Sequence, residues 1–386
     1  MNPSPFIPDQ EGGVFNADEG IQNGVQFMIR QNIPKHMHAA VWRGGPELRI
    51  EEVPVPLIGT GELLVRVETC GICPTDIKKI DLDLVEPPVI LGHEIAGRVV
   101  AAGMGAERFS GKRVALYHHI PCRQCRLCDL GRFSQCEGYK KTGTTAGFKP
   151  SGGGWAEYVR VLPWIVAGGG VVEIPETLAP EVAILMEPLN TCLKCLESLP
   201  ARGGCLVIMG QGPVGLMLTA IARRKGWEVL AVEPLPERQE KALAFGAKAV
   251  LSPGKGLRDR IHDAAPLFGP DAAIAATDSE EAVNTALRIL RPGGTLVLFA
   301  HTRKGQPLKI DGGEIGVAEK QMIGSYSSSV ELNEEALNIL LDEAMPWDAF
   351  VTHLFPLEDI GRALMLARHP ESGSLKVAVT PEKSKK

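Results

Sequence analysis

From about Gly203 onward the chain carries six short apolar runs: CLVIM, WEVLAVE, AKAVL, DAAIAAT, GTLVLFA and QMIGSY. Helix-patterned text lies between most of them, including VGLMLTAIARRKG, ERQEKALAFG and EEAVNTALRIL. Apolar strands that alternate with helices bury both faces of a parallel sheet, so this half reads as a doubly wound α/β domain. From Met37 to about Val172 the text changes to β-runs broken by Gly and Pro: AAVW, ELLVRVE, AGRVVAAG, KRVALYHH and WAEYVRV. These predict a β-rich domain with irregular connections. Beyond about Val330 the chain returns to helix and loop and closes with SLKVAVT. That tail is too short to stand alone and is expected to pack on the first domain. Residues 1–36, rich in Pro, Gly, Asn and acidic side chains, read either as an extension draped over the protein or as plain disorder.

At 386 residues and 44% hydrophobic content, two packed domains are the natural expectation. The net charge of -5, from 41 basic and 46 acidic residues, argues against nucleic acid or an anionic membrane as partner. No apolar stretch approaches the ~20 residues a bilayer span needs. The N-terminus lacks the basic start and apolar core of a secretory signal. Nine cysteines, most at metal-ligand spacing, point to a reducing cytoplasm.

Two segments bear chemistry on spacing alone. Gly210-Gln211-Gly212-Pro213-Val214-Gly215 follows the strand CLVIM and opens a helix. With 43 glycines a bare G-x-G-x-x-G is weak, but strand before and helix after give it the context of a dinucleotide turn. Pro213 suits the first helical position, and free amides there face phosphates. Glu233 ends the second strand, where a carboxylate hydrogen-bonds a ribose 2′-OH and repels a 2′-phosphate. This favours NAD over NADP, with Arg238 close enough to contact adenosine instead. The second segment is Cys122, Cys125, Cys128 and Cys136, a C-x2-C-x2-C-x7-C run. Four thiolates suit a closed structural Zn²⁺ site; an iron–sulfur cluster fits less well, because the last gap is seven and Glu137 rather than Pro follows. A closed site does no chemistry.

Three further elements surround the four-cysteine lobe: Cys73 in Cys-Pro-Thr-Asp, His93 in Gly-His-Glu, and Glu187 in Met-Glu-Pro-Leu. Taken in order with the lobe and the glycine turn, they make the chain resemble the zinc-dependent medium-chain alcohol and polyol dehydrogenases, sorbitol- and threonine-dehydrogenase-like members included. The resemblance runs from about Met37 to Val379. It implies a GroES-like catalytic domain over 37–189, with the lobe at about 118–140. It further implies a Rossmann domain over 190–329 and a returning catalytic segment over 330–386.

By that resemblance Cys73, His93 and Glu187 are ligands of a catalytic zinc, Glu94 is a neighbouring or exchangeable ligand, and Asp76 orients His93. Two zinc ions per chain are expected. Such a zinc keeps one open position and lowers the pKa of an alcohol, whose hydride passes to the nicotinamide. Thr75 is placed to relay the proton; where alcohol-metabolising members continue the relay with histidine, this chain has Lys78. The nicotinamide is expected near Thr191, Thr277 and Phe299. Glu187 points to polyol, sugar-alcohol, cyclitol or amino-alcohol substrates, and Ser325 to Ser329 read equally as hydroxyl binders or as a polar hinge. Primary or aromatic alcohols and aldehydes are the competing substrates, and a non-catalytic nucleotide-binding relative is the reading from another class. Cys70, Cys192, Cys195 and Cys205 read as core residues, and His118 and His119, beside the lobe, as structural, with approach to a pocket the alternative. A homodimer or homotetramer is expected.

Overall fold

The computed structural model describes residues 33–45, 48–138, 152–199, 203–266, 268–300, 307–370 and 373–381. Residues 1–32 of the expected extension, and the end of the lobe at 139–140, lie outside them.

The six apolar runs of the second half become six strands: Gly204–Met209, Trp227–Val232, Ala249–Leu251, Ala272–Ala275, Thr295–Leu298 and Gln321–Gly324. All pair in parallel. The spatial order is 3-2-1-4-5-6 when the strands are counted along the chain. The crossovers include the helices Pro213–Arg224, Pro236–Ala244, Leu257–Ala264 and Glu280–Ile289. Leu206, Val207 and Ile208 on the first strand are fully buried, as a strand covered on both faces must be. The order reverses between Gly204–Met209 and Ala272–Ala275, so a crevice opens at their carboxyl ends.

The β-rich half holds a seven-stranded sheet. Its centre is Leu63–Gly71, antiparallel to Glu94–Ala102. The last strand among the described residues, Lys376–Thr380, pairs antiparallel with the end of Leu63–Gly71 through Ala378 to Gly71 and Val379 to Cys70. The tail thus delivers Lys376 beside Glu94. A three-stranded sheet of Leu48–Pro54, His36–Trp42 and Val89–Ile90 flanks it. At the crossing a Cβ on Gly71 would lie 1.9 Å from Glu94 Oε2, so the glycine leaves room for this carboxylate in its buried place.

The helix Met186–Glu197 ties the halves together. Its apolar face, including Leu189, Cys192, Leu193 and Cys195, belongs to a core shared with strand and helix residues of the parallel-sheet half. Asn190 donates to Ser329 O at 2.8 Å and to Asn333 Oδ1 at 2.9 Å, and accepts from Ser329 N. These bonds pin the helix to the point where the chain leaves the parallel sheet. No helix among the described residues is long and apolar enough to cross a membrane.

Candidate catalytic metal centre and nucleotide turn

Cys73 is the N-cap of the helix Pro74–Asp81, with Pro74 in the first turn, where its missing N–H costs nothing. Asp76, fully buried, faces back and binds twice. One carboxylate oxygen accepts from Cys73 N at 3.4 Å, and the other lies 3.0 Å from His93 Nδ1. A carboxylate on Nδ1 fixes the tautomer and leaves Nε2 with its lone pair for a ligand. His93 and Glu94 enter at the start of Glu94–Ala102. Donor atoms of Cys73, His93 and Glu94 lie within 4.8 Å of one another. Thiolate, imidazole and carboxylate at this spacing fit a divalent ion of borderline softness.

The electrostatics agree with a cation site. Burial opposes charge on His93, yet Asp76 and Cys73 overcome it and raise its pKa well above the usual value. Burial likewise opposes charge on Asp76, and the His93 ring outweighs it, so the carboxyl falls below its ordinary range. Glu187 is not in the three-donor group. Burial raises its pKa, with His93 and Glu94 acting on it in opposite senses, and Ser328 Oγ donates to it at 3.5 Å. It lies near enough to the cluster for the charges of His93, Glu94, Lys376 and Asp76 to act on it. Glu94 is ion-paired with Lys376, both almost wholly buried.

Three features of the site were missed or only partly read in the sequence. Lys79, not Lys78, is the lysine whose charge reaches Asp76, His118 and His119; one helical turn separates it from Asp76, so the two share a face. The period of a helix opening at Pro74 was the available signal. His118 packs edge-on against His93 with ring centroids 5.7 Å apart, so it lies at the cluster. His118 Nε2 is 2.8 Å from His119 Nε2, and His119 Nδ1 is 3.2 Å from Ser327 Oγ, which carries the chain of polar atoms across the cleft. Thr75 sits in the first turn after Cys73 and is partly exposed.

The lobe is built differently. The thiols of Cys122, Cys125, Cys128 and Cys136 converge within 4.8 Å, with Cys125 and Cys128 Sγ 3.6 Å apart. Cys122 N donates to Cys136 Sγ at 3.3 Å, a bond that favours the thiolate. Burial and then the neighbouring thiols push Cys128 up to about 12, so four thiolates can coexist there only around a cation.

At the crevice of the parallel sheet, Gly210 N donates to Val232 O at 2.8 Å, and Gly212 caps the helix Pro213–Arg224. A Cβ on Gly215 would lie 1.9 Å from Gly210 O, so only glycine lets the helix approach this closely. Thr277 stands across from Gly210 and Arg238 across from Gly212, each under 4 Å from where a Cβ would be. Val214 O is met by Cys192 Sγ of the bridging helix at 3.9 Å. Glu233, 2% exposed, accepts from Gln211 N at 2.6 Å and Leu235 N at 3.1 Å, so it also braces the turn. The open helix end and the glycine cradle fit a dinucleotide.

A nucleotide crevice beside a mixed-ligand metal cluster defines the class: a two-domain, metal-dependent oxidoreductase. Residues 59–176 match the alcohol dehydrogenase GroES-like domain and residues 213–342 the zinc-binding dehydrogenase domain; the chain belongs to the zinc-dependent medium-chain dehydrogenase/reductase family. It is 29% identical over 367 residues to sorbitol dehydrogenase of Bacillus subtilis, covering 92% of this chain and 100% of the relative. It is 31% identical over 256 residues to L-threonine 3-dehydrogenase of Pyrococcus abyssi, covering 64% of this chain and 71% of the relative. A zinc-binding dehydrogenase of Sinorhizobium meliloti, solved bound to NADP, superposes with a TM-score of 0.80 at 28% identity, over 90% of this chain and 100% of that one. This chain is accordingly an oxidoreductase that uses zinc and NAD(P) on a small-molecule alcohol.

Proposed function

We propose that the chain reversibly oxidises a secondary alcohol of the polyol, sugar-alcohol, cyclitol or amino-alcohol class to a ketone, with NAD preferred. The observation that carries this reading is the meeting of the Cys73, His93 and Glu94 donors with a hydroxyl-bearing wall, where Ser328 reaches Glu187 and Ser327 reaches His119. Cys73, His93 and Glu94 would hold one zinc, with Glu187 close by, and Cys122, Cys125, Cys128 and Cys136 would hold the other. Zinc in the first site supplies Lewis acidity, and the dinucleotide takes the hydride. Asp76 keeps His93 in its ligating tautomer. Thr75 receives the hydroxyl proton and passes it toward solvent. Beyond Thr75 the proton leaves by water, the ribose hydroxyls or Lys78, with the neighbouring Lys79 being the lysine whose charge acts on Asp76 and His119.

Gly210, Gly212, Pro213, Val214 and Gly215 receive the pyrophosphate, Glu233 the adenosine ribose, Arg238 the adenosine edge and Thr277 the nicotinamide side. The catalytic domain comprises 37–189 and 330–386, and the nucleotide domain 190–329. Free cysteines throughout the described residues support a reducing cytoplasm, and the edge strand Gln321–Gly324 suits a homodimer or homotetramer. A screen of NAD reduction over polyols, cyclitols, amino alcohols, primary alcohols and aromatic alcohols tests the reading, with metal content measured on the same sample. Turnover highest among hydroxyl-rich secondary alcohols is expected. Preference for primary or aromatic alcohols would overturn it.

A further inference from the structure

Lysines sheltered from water in this protein keep company with carboxylates. Buried Lys320 is paired with Glu314 and buried Lys376 with Glu94. Half-buried Lys225 is held by Glu197 and Glu335 at 2.7 Å each. Lys194 departs from this pattern. Its Nζ donates to Tyr326 O at 2.7 Å, and no carboxylate among the described residues is paired with it. An ammonium carries three donors, of which a single carbonyl takes one. Burial, with no opposing charge, lowers the Lys194 pKa to about 8. A sheltered cation in this position is costly unless an anion joins it.

Its place is on the helix that carries Glu187. Glu187, Thr191 and Lys194 stand at i, i+4 and i+7 of one helix, and therefore on one face. Lys194 lies ~10 Å along that face from Glu187, by the helical rise. The opposite wall repeats the order. Tyr326, Ser327 and Ser328, three consecutive residues, meet Lys194, His119 and Glu187 in turn. Ser327 holds a φ of 58°, a conformation that non-glycine residues adopt at a cost and that here aims its hydroxyl at His119. Ser328 is 1% exposed and Tyr326 46%, so the wall runs from the metal cluster out to solvent. At its outer end the charges are cationic: burial comes first in lowering the His119 pKa, and Lys79 and Lys194 add to the effect. Of the acidic groups at the inner end, Asp76 is held by His93 and Glu94 by Lys376, while Glu187 meets only the Ser328 hydroxyl among the described residues; at the outer end no described carboxylate is paired with Lys194.

We propose that the substrate is an anion, whose carboxylate or phosphate is bound by Lys194 with help from Lys79 and the His118–His119 pair, while its hydroxyl lies at the metal cluster. This rests on the alcohol-oxidising reading above and narrows it to hydroxy acids or phosphorylated polyols. Lys194 is a specificity determinant in this scheme and no part of the hydride transfer.

The test uses the full chain loaded with zinc and NAD. The probes are matched sets in the gluco, galacto and threo configurations, each a sugar alcohol, its aldonate and its terminal phosphate. In at least one set an anion is expected to exceed its neutral parent in kcat/KM by about tenfold or more. K194Q and K194M should raise the KM of that anion about tenfold or more while shifting the neutral parent far less, and K194R should restore it. Whether aldonate or phosphate wins identifies the group. Preference for the neutral parent in every set, or equal changes for anion and parent in K194Q, would overturn the proposal. Calorimetric titration of the same anions separates the two readings. Anion binding that K194Q abolishes, with no alcohol turned over, sinks alcohol oxidation and leaves the subsite standing. Turnover with anion binding indifferent to Lys194 does the reverse.

Discussion

The four-cysteine lobe and the Cys73 cluster are two sets of metal donors in one half of the molecule, and they are constructed on opposite plans. The lobe draws four identical ligands from residues 122–136, and the cluster its members formed with little besides Phe133 packs apart from the main cores. The Cys73 cluster draws three different donors from two elements and has Glu187 and Lys376 delivered from far along the chain. A uniform closed set can only hold a cation. A mixed set with charged groups on one side and a cleft on the other can hold a cation and leave it work to do. Local tethering therefore marks the brace, and long-range assembly marks the reacting centre.

The difference should show most strongly in Cys73→Ser. Loss of the thiolate is expected to lower kcat/KM by roughly a thousandfold or more, with the thermal midpoint nearly unchanged. Retention of near-full turnover would erase the contrast. Next in size is Lys376→Met, which strands the Glu94 carboxylate in the core. Chemical denaturation of the zinc-free protein should show a loss of about 3–5 kcal/mol; an unaffected midpoint would mean the pair is not what stabilises Glu94. Asp76→Asn keeps the shape but weakens the hold on His93. Zinc affinity or kcat/KM should fall about 10–100-fold, with zinc titration deciding whether affinity is the origin. Smallest in catalytic terms is Cys128→Ser. The lobe should lose its zinc and the thermal midpoint should drop on the order of 5–10 °C, while kcat per folded molecule stays near wild type. A thousandfold fall in kcat there would place the chemistry in the lobe.

The parts legible in the sequence are those written locally. The four inner apolar runs read clearly because each is a continuous buried segment, while the two edge strands, Ala249–Leu251 and Gln321–Gly324, are only partly covered and are legible mainly from their place in the strand–helix alternation. The lobe and the glycine turn are legible for the same reason: ligand spacing and strand–turn–helix context both fit within about twenty residues. The strands Leu48–Pro54 and Val351–Pro356 were not read, since their burial is intermediate or mixed and gives no clean alternation. Lys376 beside Glu94 spans 282 residues and has no local signature at all. His118 and His119 read as structural because a histidine pair beside a metal lobe carries no spacing rule, and only the sheet brings them against His93. The serine run divides its duties. Ser329 is part of the hinge with Asn190, whereas Ser327 and Ser328 face His119 and Glu187.

Zinc stoichiometry measured by atomic emission on the purified full chain, beside its Cys73→Ser and Cys128→Ser variants, tests the two-plan picture most directly. Two zinc ions per wild-type chain and one in each variant are expected, with NAD-linked alcohol oxidation lost only where the Cys73 ion is lost. A single zinc in the wild type that survives Cys73→Ser would contradict it.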